Sequence, residues 1–253
     1  MFESKTGVLL IAGLGFFLFA FLSNAVVPVL IYRKLPEQTA LEVVNPNLLH
    51  QFEDLSRRYP EEFKRHFGEP TAEKCAEALE LGRSIYVGEG CWHCHSQFVR
   101  PVSNESRRWG PVAETPEFQN ALQRPVMFGT RRVGPDLSRE GGRRSNDWHA
   151  VHFFRPKLVS TGSPMPEYPW FFEPATAADA APAKQETAAE AEGDATKKAA
   201  PPAPAELIRP GEPTPARPNR RGLAIITYVQ WLGSWHDTYP YYEEDLELAE
   251  ENP

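Results

Sequence analysis

Five consecutive residues, Cys91-Trp92-His93-Cys94-His95, constrain this chain more than any other stretch. Two cysteines three apart, followed at once by a histidine, form the attachment pattern of a c-type haem. On one helical turn, residues i and i+3 face the same way, so both thiols can add to the two vinyl groups of one porphyrin. His95 then lies under the iron, and a macrocycle tethered on both sides of its own ligand cannot dissociate. The motif predicts one short helical turn and an electron carrier. Two other chemistries use the same residue types. A redox dithiol exchanges disulfides through a thiolate of lowered pKa, but the strand-helix-strand pattern that goes with it is missing around Cys91. A structural zinc site wants a second ligand pair. The only other cysteine, Cys75, lies upstream and reads as a helix-face residue.

The 253 residues carry a net charge of −7, which argues against a nucleic-acid partner, since those bind a basic patch. Gly7 to Ile31 holds no charged residue and is rich in Leu, Ile, Val and Phe. As a helix this run is about 37 Å long, enough to cross a hydrocarbon core of roughly 30 Å with some tilt. It reads as a single membrane anchor within residues 1–34, with a bend expected at Pro28 near its outer end. Ser23-Asn24-Ala25 offers a small-x-small cleavage site, yet the apolar run continues past it to Ile31, beyond the usual length of a signal peptide. Lys5 precedes the span while Arg33 and Lys34 follow it, so charge counting leaves orientation undecided. Bacterial c-haem attachment takes place outside the cytoplasmic membrane, and this sets the expectation that residues after 34 face the periplasm.

Beyond the anchor, residues 35–70 are polar and mixed, punctuated by Pro46 and Pro60, and read as a helical connector. Thr71 to Val87 has apolar side chains near helical spacing, with Thr71 placed as a cap. The helix predicted there leads into the Cys91 motif, broken off by Gly88 and Gly90. Trp109 to Gly129, with three prolines, reads as loop. Pro174 to Asn219 is dominated by Ala, Pro, Glu, Lys and Thr and has too few large apolar side chains to fold, so a disordered insertion is expected. A helical pattern resumes from Arg221 to Trp235. The expected domain therefore comprises 71–173 and 220–236, followed by an acidic tail at 237–253. Lengthening a loop from about five to about forty-five residues costs roughly 2 kcal/mol of closure entropy, tolerable for a domain holding a covalent cofactor.

A strong sixth ligand separates an electron carrier from a haem open to substrate. Met127, Met165, His149 and His152 are the downstream candidates. Met165 is favoured, because Ser163-Pro164-Met165-Pro166 stiffens the backbone around a weak thioether. His149 and His152 share a helix face at i and i+3; they read as packing or partner-contact residues, with bis-histidine ligation as the alternative. In Gly134-Pro135-Asp136-Leu137, the Pro135 carbonyl is placed to accept the free N–H of the haem histidine, although a plain turn fits the same residues. Arg131, Arg132, Arg143 and Arg144 could pair with haem propionates.

These residues together resemble one family: the membrane-anchored mono-haem cytochrome c subunit of cbb3-type terminal oxidases. The matching stretches are Gly82 to Tyr86, Gly90 to Pro101 (GCWHCHSQFVRP), Gly134 to Gly142 (GPDLSREGG), Trp148-His149 with His152, and Met165 to Trp170 (MPEYPW). The Ser-Gln-x-x-Arg-Pro extension after the haem histidine is more specific than the haem motif itself. The resemblance implies an all-α fold with one transmembrane helix and one small cytochrome c domain. It implies one haem c held by Cys91 and Cys94, with His95 and Met165 axial. The implied subunit has no active site of its own; it passes electrons to a haem-copper membrane subunit that reduces dioxygen, beside a second cytochrome c subunit. After Trp170 the low-complexity stretch replaces the family's usual structured segment. The nearest rival in class is the anchored cytochrome c subunit of nitric oxide reductase, expected to lack the Ser-Gln-x-x-Arg-Pro and MPEYPW blocks.

Overall fold

The computed structural model describes residues 4–33, 37–173 and 217–234. It falls into two compact units, 1–38 and 39–253. The first unit is the expected apolar helix, continuous from Lys5 to Tyr32 and long enough to cross a bilayer. Ser4 caps it by accepting a hydrogen bond from the Gly7 N–H at 3.0 Å. The helix runs as α1 (Lys5–Phe21), a π turn (Leu22–Val26) and α2 (Val27–Tyr32). Pro28 explains the interruption: it has no N–H to donate, and its ring crowds the carbonyl four residues back, so the turn widens. Ser23 Oγ and Asn24 Nδ2 both donate to the Ala20 carbonyl, at 3.2 and 2.9 Å. A spanning helix must satisfy such polar groups internally.

The second unit is helical, with an isolated antiparallel bridge between Phe172 and Pro218. Its core is the packing of α5 (Ala72–Gly88) on α10 (Arg220–Trp231). Thr71 caps α5 by accepting from the Lys74 N–H, and Asn219 caps α10 by accepting from the N–H groups of Arg221 and Gly222. Gly82 sets the separation of the two helices. A Cβ there would stand 2.3 Å from the Ala224 carbonyl oxygen and 2.6 Å from Tyr228 Cβ. One turn further along, Tyr86 and Tyr228 meet with ring centroids 5.5 Å apart. Every residue of α10 from Gly222 to Trp231 is buried, so this helix lies at the centre of the core.

The segment expected as a connector is instead part of the packed domain. Residues 46–66 form α3 (Pro46–Arg58) and α4 (Pro60–His66), and Leu48, Phe52 and Leu55 on α3 are fully buried. Phe52 meets Phe63 at 4.7 Å and Phe67 at 5.8 Å. Asn45 caps α3 and also donates to Ser234 Oγ at 3.0 Å, tying the start of the domain to its far end. The loop expected from Trp109 to Gly129 contains two 3-10 turns, Thr115–Phe118 and Ala121–Gln123. It is held by a fully buried Arg139, whose guanidinium donates to both carboxylate oxygens of Glu117 at 2.7 Å.

The Ala/Pro-rich insertion at 174–216 and the acidic tail at 237–253 lie outside the described residues. Residues 217–219, grouped with the insertion on composition, belong to the folded domain. The Glu173 N–H donates to the Arg217 carbonyl at 2.7 Å and the Asn219 N–H to the Phe171 carbonyl at 3.0 Å, so Phe171 to Glu173 and Arg217 to Asn219 lie side by side.

Candidate haem site

Cys91 to Cys94 forms a single turn, α6, entered through Gly90 at a φ of 70° that suits glycine. The His95 N–H closes the turn on the Cys91 carbonyl at 3.0 Å. Cys91 is buried, Cys94 is exposed, and both thiols are free. Burial pushes the Cys91 thiol up to about 12, with the Glu89 charge adding to the effect. That is the opposite of what a disulfide-exchanging thiolate needs. Among the described residues no three His, Cys, Asp or Glu side chains converge as a metal-binding group.

The geometry around His95 is specific. Its Nδ1 lies 3.0 Å from the Pro135 carbonyl oxygen. A carbonyl can only accept, so Nδ1 carries the proton and Nε2 keeps its lone pair for a ligand. Burial lowers the pKa of His95 against the opposing pull of Pro135 and Asp136, which favours the neutral, ligating form. Gly134 leaves the space for the ring: a Cβ there would stand 2.2 Å from His95 Cε1. The backbone on either side is also fixed. Tyr86 Oη donates to the His95 carbonyl at 2.7 Å, and the Gly134 N–H donates to the Cys94 carbonyl at 3.2 Å.

Asp136 is the residue the sequence reading left without a role. It is 2 % exposed and accepts from Ser96 Oγ at 2.5 Å, the Phe98 N–H at 3.0 Å and Ser138 Oγ at 2.5 Å. These bonds lash the segment after His95 to the segment that presents the Pro135 carbonyl. Arg132 joins the same network. Its side chain donates to Ser96 Oγ and the Phe98 carbonyl, pairs with Glu105 and lies 4.8 Å from the Trp109 ring centroid. Arg132 was a candidate for haem propionates; its nearly buried side chain is turned into this scaffold, and its φ is 49°. Arg144 pairs with Glu140 and stacks on Trp148. Arg131 is exposed beside the motif, its N–H 3.4 Å from the His93 carbonyl.

Met165 lies half-buried against the core on the loop between α9 (Pro156–Val159) and a 3-10 turn at Pro169–Phe171. Its N–H donates to Ser163 Oγ at 3.2 Å. Three residues on, buried Tyr168 ties the loop to α8 (Asn146–Phe154) through its N–H, which donates to the Phe153 carbonyl at 2.9 Å. Met127 is buried, with its carbonyl accepting the Gln97 N–H at 2.7 Å. His149 and His152 lie on α8 (Asn146–Phe154), and both are driven neutral. Burial, then each one's histidine neighbour, lowers His149 to about 3 and His152 to about 4; for His152 that neighbour is His95. His152 stacks on Trp148 at 4.4 Å. His149 Nε2 and His152 Nδ1 are buried without a hydrogen-bond partner.

Two free thiols on one turn, an imidazole whose outer nitrogen is tied to a carbonyl, and a glycine-shaped space beside that ring fit a covalently held haem. The model of the cytochrome c oxidase mono-haem subunit family, FixO, matches residues 69–235. The chain belongs to that family, the mono-haem subunit of cbb3-type oxidases. Comparison with curated proteins gives no match. Membership makes the chain a haem c-bearing component of a respiratory cytochrome c oxidase with a catalytic partner, and the apolar helix at its N-terminal end suits a membrane anchor.

Proposed function

We propose that this chain is a one-electron relay that carries a single haem c and passes electrons to the haem-copper subunit reducing dioxygen to water. The observation that bears most weight is the His95 Nδ1 contact with the Pro135 carbonyl at 3.0 Å. It fixes the tautomer and ring orientation that an axial ligand needs. Cys91 and Cys94 would hold the porphyrin through thioether bonds, and His95 and Met165 would be the axial ligands. When bound, the haem supplies a reversible iron couple, and a thioether ligand raises its potential. The chain's own residues set what surrounds that couple. Asp136 and Arg132 hold the proximal segment, and buried neutral His149 and His152 keep positive charge away. With His95 and Met165 both holding the iron, the subunit would have no substrate site of its own. We further propose that the haem domain faces the periplasm and sits beside a second cytochrome c subunit.

Two rivals make different predictions. The nitric oxide reductase subunit shares the anchor and haem motif, but the family match and the SQFVRP and MPEYPW blocks favour the oxidase. The dithiol oxidoreductase is disfavoured by the raised Cys91 thiol. Purification of the full chain with its partners decides: the oxidase reading expects a co-purifying membrane subunit that consumes oxygen. A partner that consumes nitric oxide and not oxygen would overturn it. Near-infrared magnetic circular dichroism tests Met165 separately, since the sulfur-to-iron band must be present.

A further inference from the structure

Resting on the haem reading above, we propose that Glu89 is a positioning residue whose carboxylate braces the block after Met165 against the approach to the Cys91 turn and so holds the thioether at the iron. A haem bonded to Cys91 and Cys94 moves with that turn, whereas Met165 belongs to another segment, so ligation by both His95 and Met165 needs the two held at a fixed spacing. The Met165 segment has few ties of its own. From Ser160 to Glu167 the Ser163 N–H donates to the Ser160 carbonyl and the Met165 N–H to Ser163 Oγ, both within the loop. The ion pair of Arg155 with Glu167 is long, at 3.5 Å, and Glu167 is half-exposed, so it contributes little. Beyond it, the Tyr168 N–H donates to the Phe153 carbonyl at 2.9 Å, which is a tie to α8 and not to the Cys91 turn.

Glu89 supplies a tie on the other side. It caps the C-terminal end of α5, two positions before Cys91, with its N–H on the Ile85 carbonyl at 2.8 Å. Its Oε1 accepts from the Trp170 indole N–H at 3.1 Å and from the Arg221 guanidinium. Three elements meet on that oxygen: the end of α5, the 3-10 turn at Pro169–Phe171 and the first turn of α10. Trp170 is gripped at its backbone as well, since its carbonyl accepts from Asn219 Nδ2 at 3.0 Å. The indole is half-exposed, but the Glu89 side chain is only 21 % exposed. A hydrogen bond to an ionised carboxylate is stronger than one between neutral groups, and partial burial limits its screening by salt. Met165 is a weak ligand five residues from this brace. Cutting the brace frees the Met165 block from the segment that carries the haem and raises the population with the thioether off the iron.

The test uses Trp170→Phe, which keeps a ring and removes the N–H, together with Glu89→Ala and the double variant, each in the full-length chain expressed with the cytochrome maturation machinery and purified in detergent. Covalent haem per chain and far-ultraviolet circular dichroism are expected to match the wild type. Imidazole competes with Met165 for the iron, and an apparent Kd scales inversely with the competent fraction. Trp170→Phe is expected to bind imidazole about fivefold more tightly, the scale of one partly exposed hydrogen bond to a charged group. It should also lose its sulfur-to-iron band at a lower urea concentration, ahead of global unfolding. Glu89→Ala should do at least as much, and adding Trp170→Phe to it should change nothing further, because both substitutions cut the same link. Imidazole affinity and band midpoint unchanged in Trp170→Phe would overturn the proposal, as would effects that simply multiply in the double variant. A drop in haem content would overturn it too, since Glu89 would then serve attachment and not the Met165 block. Failure of the haem reading looks different: the wild type itself would lack haem or the sulfur-to-iron band.

Discussion

Gly134 owes its identity to a ring. An added methyl at that position would occupy the space of the His95 imidazole, so Gly134→Ala should displace the ring from the Pro135 carbonyl. Disrupting an outer partner of a metal ligand costs 10- to 100-fold, and covalent haem per milligram of purified chain is expected to fall by about tenfold or more. His149 gives a prediction in pH. Its pKa is lowered from 6.5 to about 3 by burial, so below 6.5 the unfolded chain binds a proton that the native state refuses. The stability this represents is complete above pH 6.5 and is lost as pH falls from 6.5 toward 3. Between pH 7 and 5 the loss from this residue is about 2 kcal/mol, measurable as a lower urea midpoint, and His149→Phe should remove that share of the slope. Arg139 and Glu117 form a buried pair. Arg139→Met strands the carboxylate and should destabilise by about 3–5 kcal/mol in the same assay. Individual residues were legible where chemistry is local. Cys91, Cys94, His95 and the Pro135 carbonyl follow from spacing within one motif and one turn. Asp136 and Arg132 gain their roles from tertiary contacts, and no sequence period marks a carboxylate that accepts bonds from residues about forty positions away.

At the scale of elements, α5 was visible as an apolar pattern behind its capping Thr71 and forms within one residue of the expected bounds, whereas α10, expected over 221–235, ends at Trp231, and its cap Asn219 had been grouped with the insertion. Their closeness to one another was not visible, because it depends on Gly82. Gly82→Ala sets two effects against each other. Alanine inside a helix is favoured over glycine by about 0.5–1 kcal/mol, while overpacking a tight interface costs about 1–3 kcal/mol. The obstructing atoms are the Ala224 carbonyl and Tyr228 Cβ, which move only if α10 moves, so the clash should win. A net loss of about 2 kcal/mol is expected, seen as a lower urea midpoint with an unchanged slope. Residues 46–66 were misread because their charges and prolines suggested a solvated connector. The apolar residues of α3, Leu48, Phe52 and Leu55, do follow i, i+4, i+7, and that spacing was the missed signal. The 3-10 turns at 115–118 and 121–123 had no comparable signal, being too short for a period and held by Arg139 and Arg83 from elsewhere in the chain.

For the whole molecule, the chain divides after residue 38 into the unit of the apolar helix and the unit that carries the Cys91 motif. A chain starting at Thr39 behind a cleavable export signal should be recovered in the soluble periplasmic fraction with its haem, whereas the full chain should resist carbonate extraction. Recovery of the truncated chain in membranes would show that the folded unit itself binds lipid or a resident partner. The apolar helix and the helical unit were legible at this scale because each has its own mark in the sequence, an uncharged run of 25 residues and helical spacing of apolar side chains. The central claim is that one porphyrin is bonded to Cys91 and Cys94 over the imidazole of His95. Intact-mass spectrometry on the purified full chain from a host competent in cytochrome maturation, paired with a pyridine haemochrome spectrum, tests it most directly. The account predicts the added mass of one haem, retained through acid-acetone extraction and absent when both cysteines are changed to serine. An unmodified mass with two alkylatable thiols in that motif would contradict it.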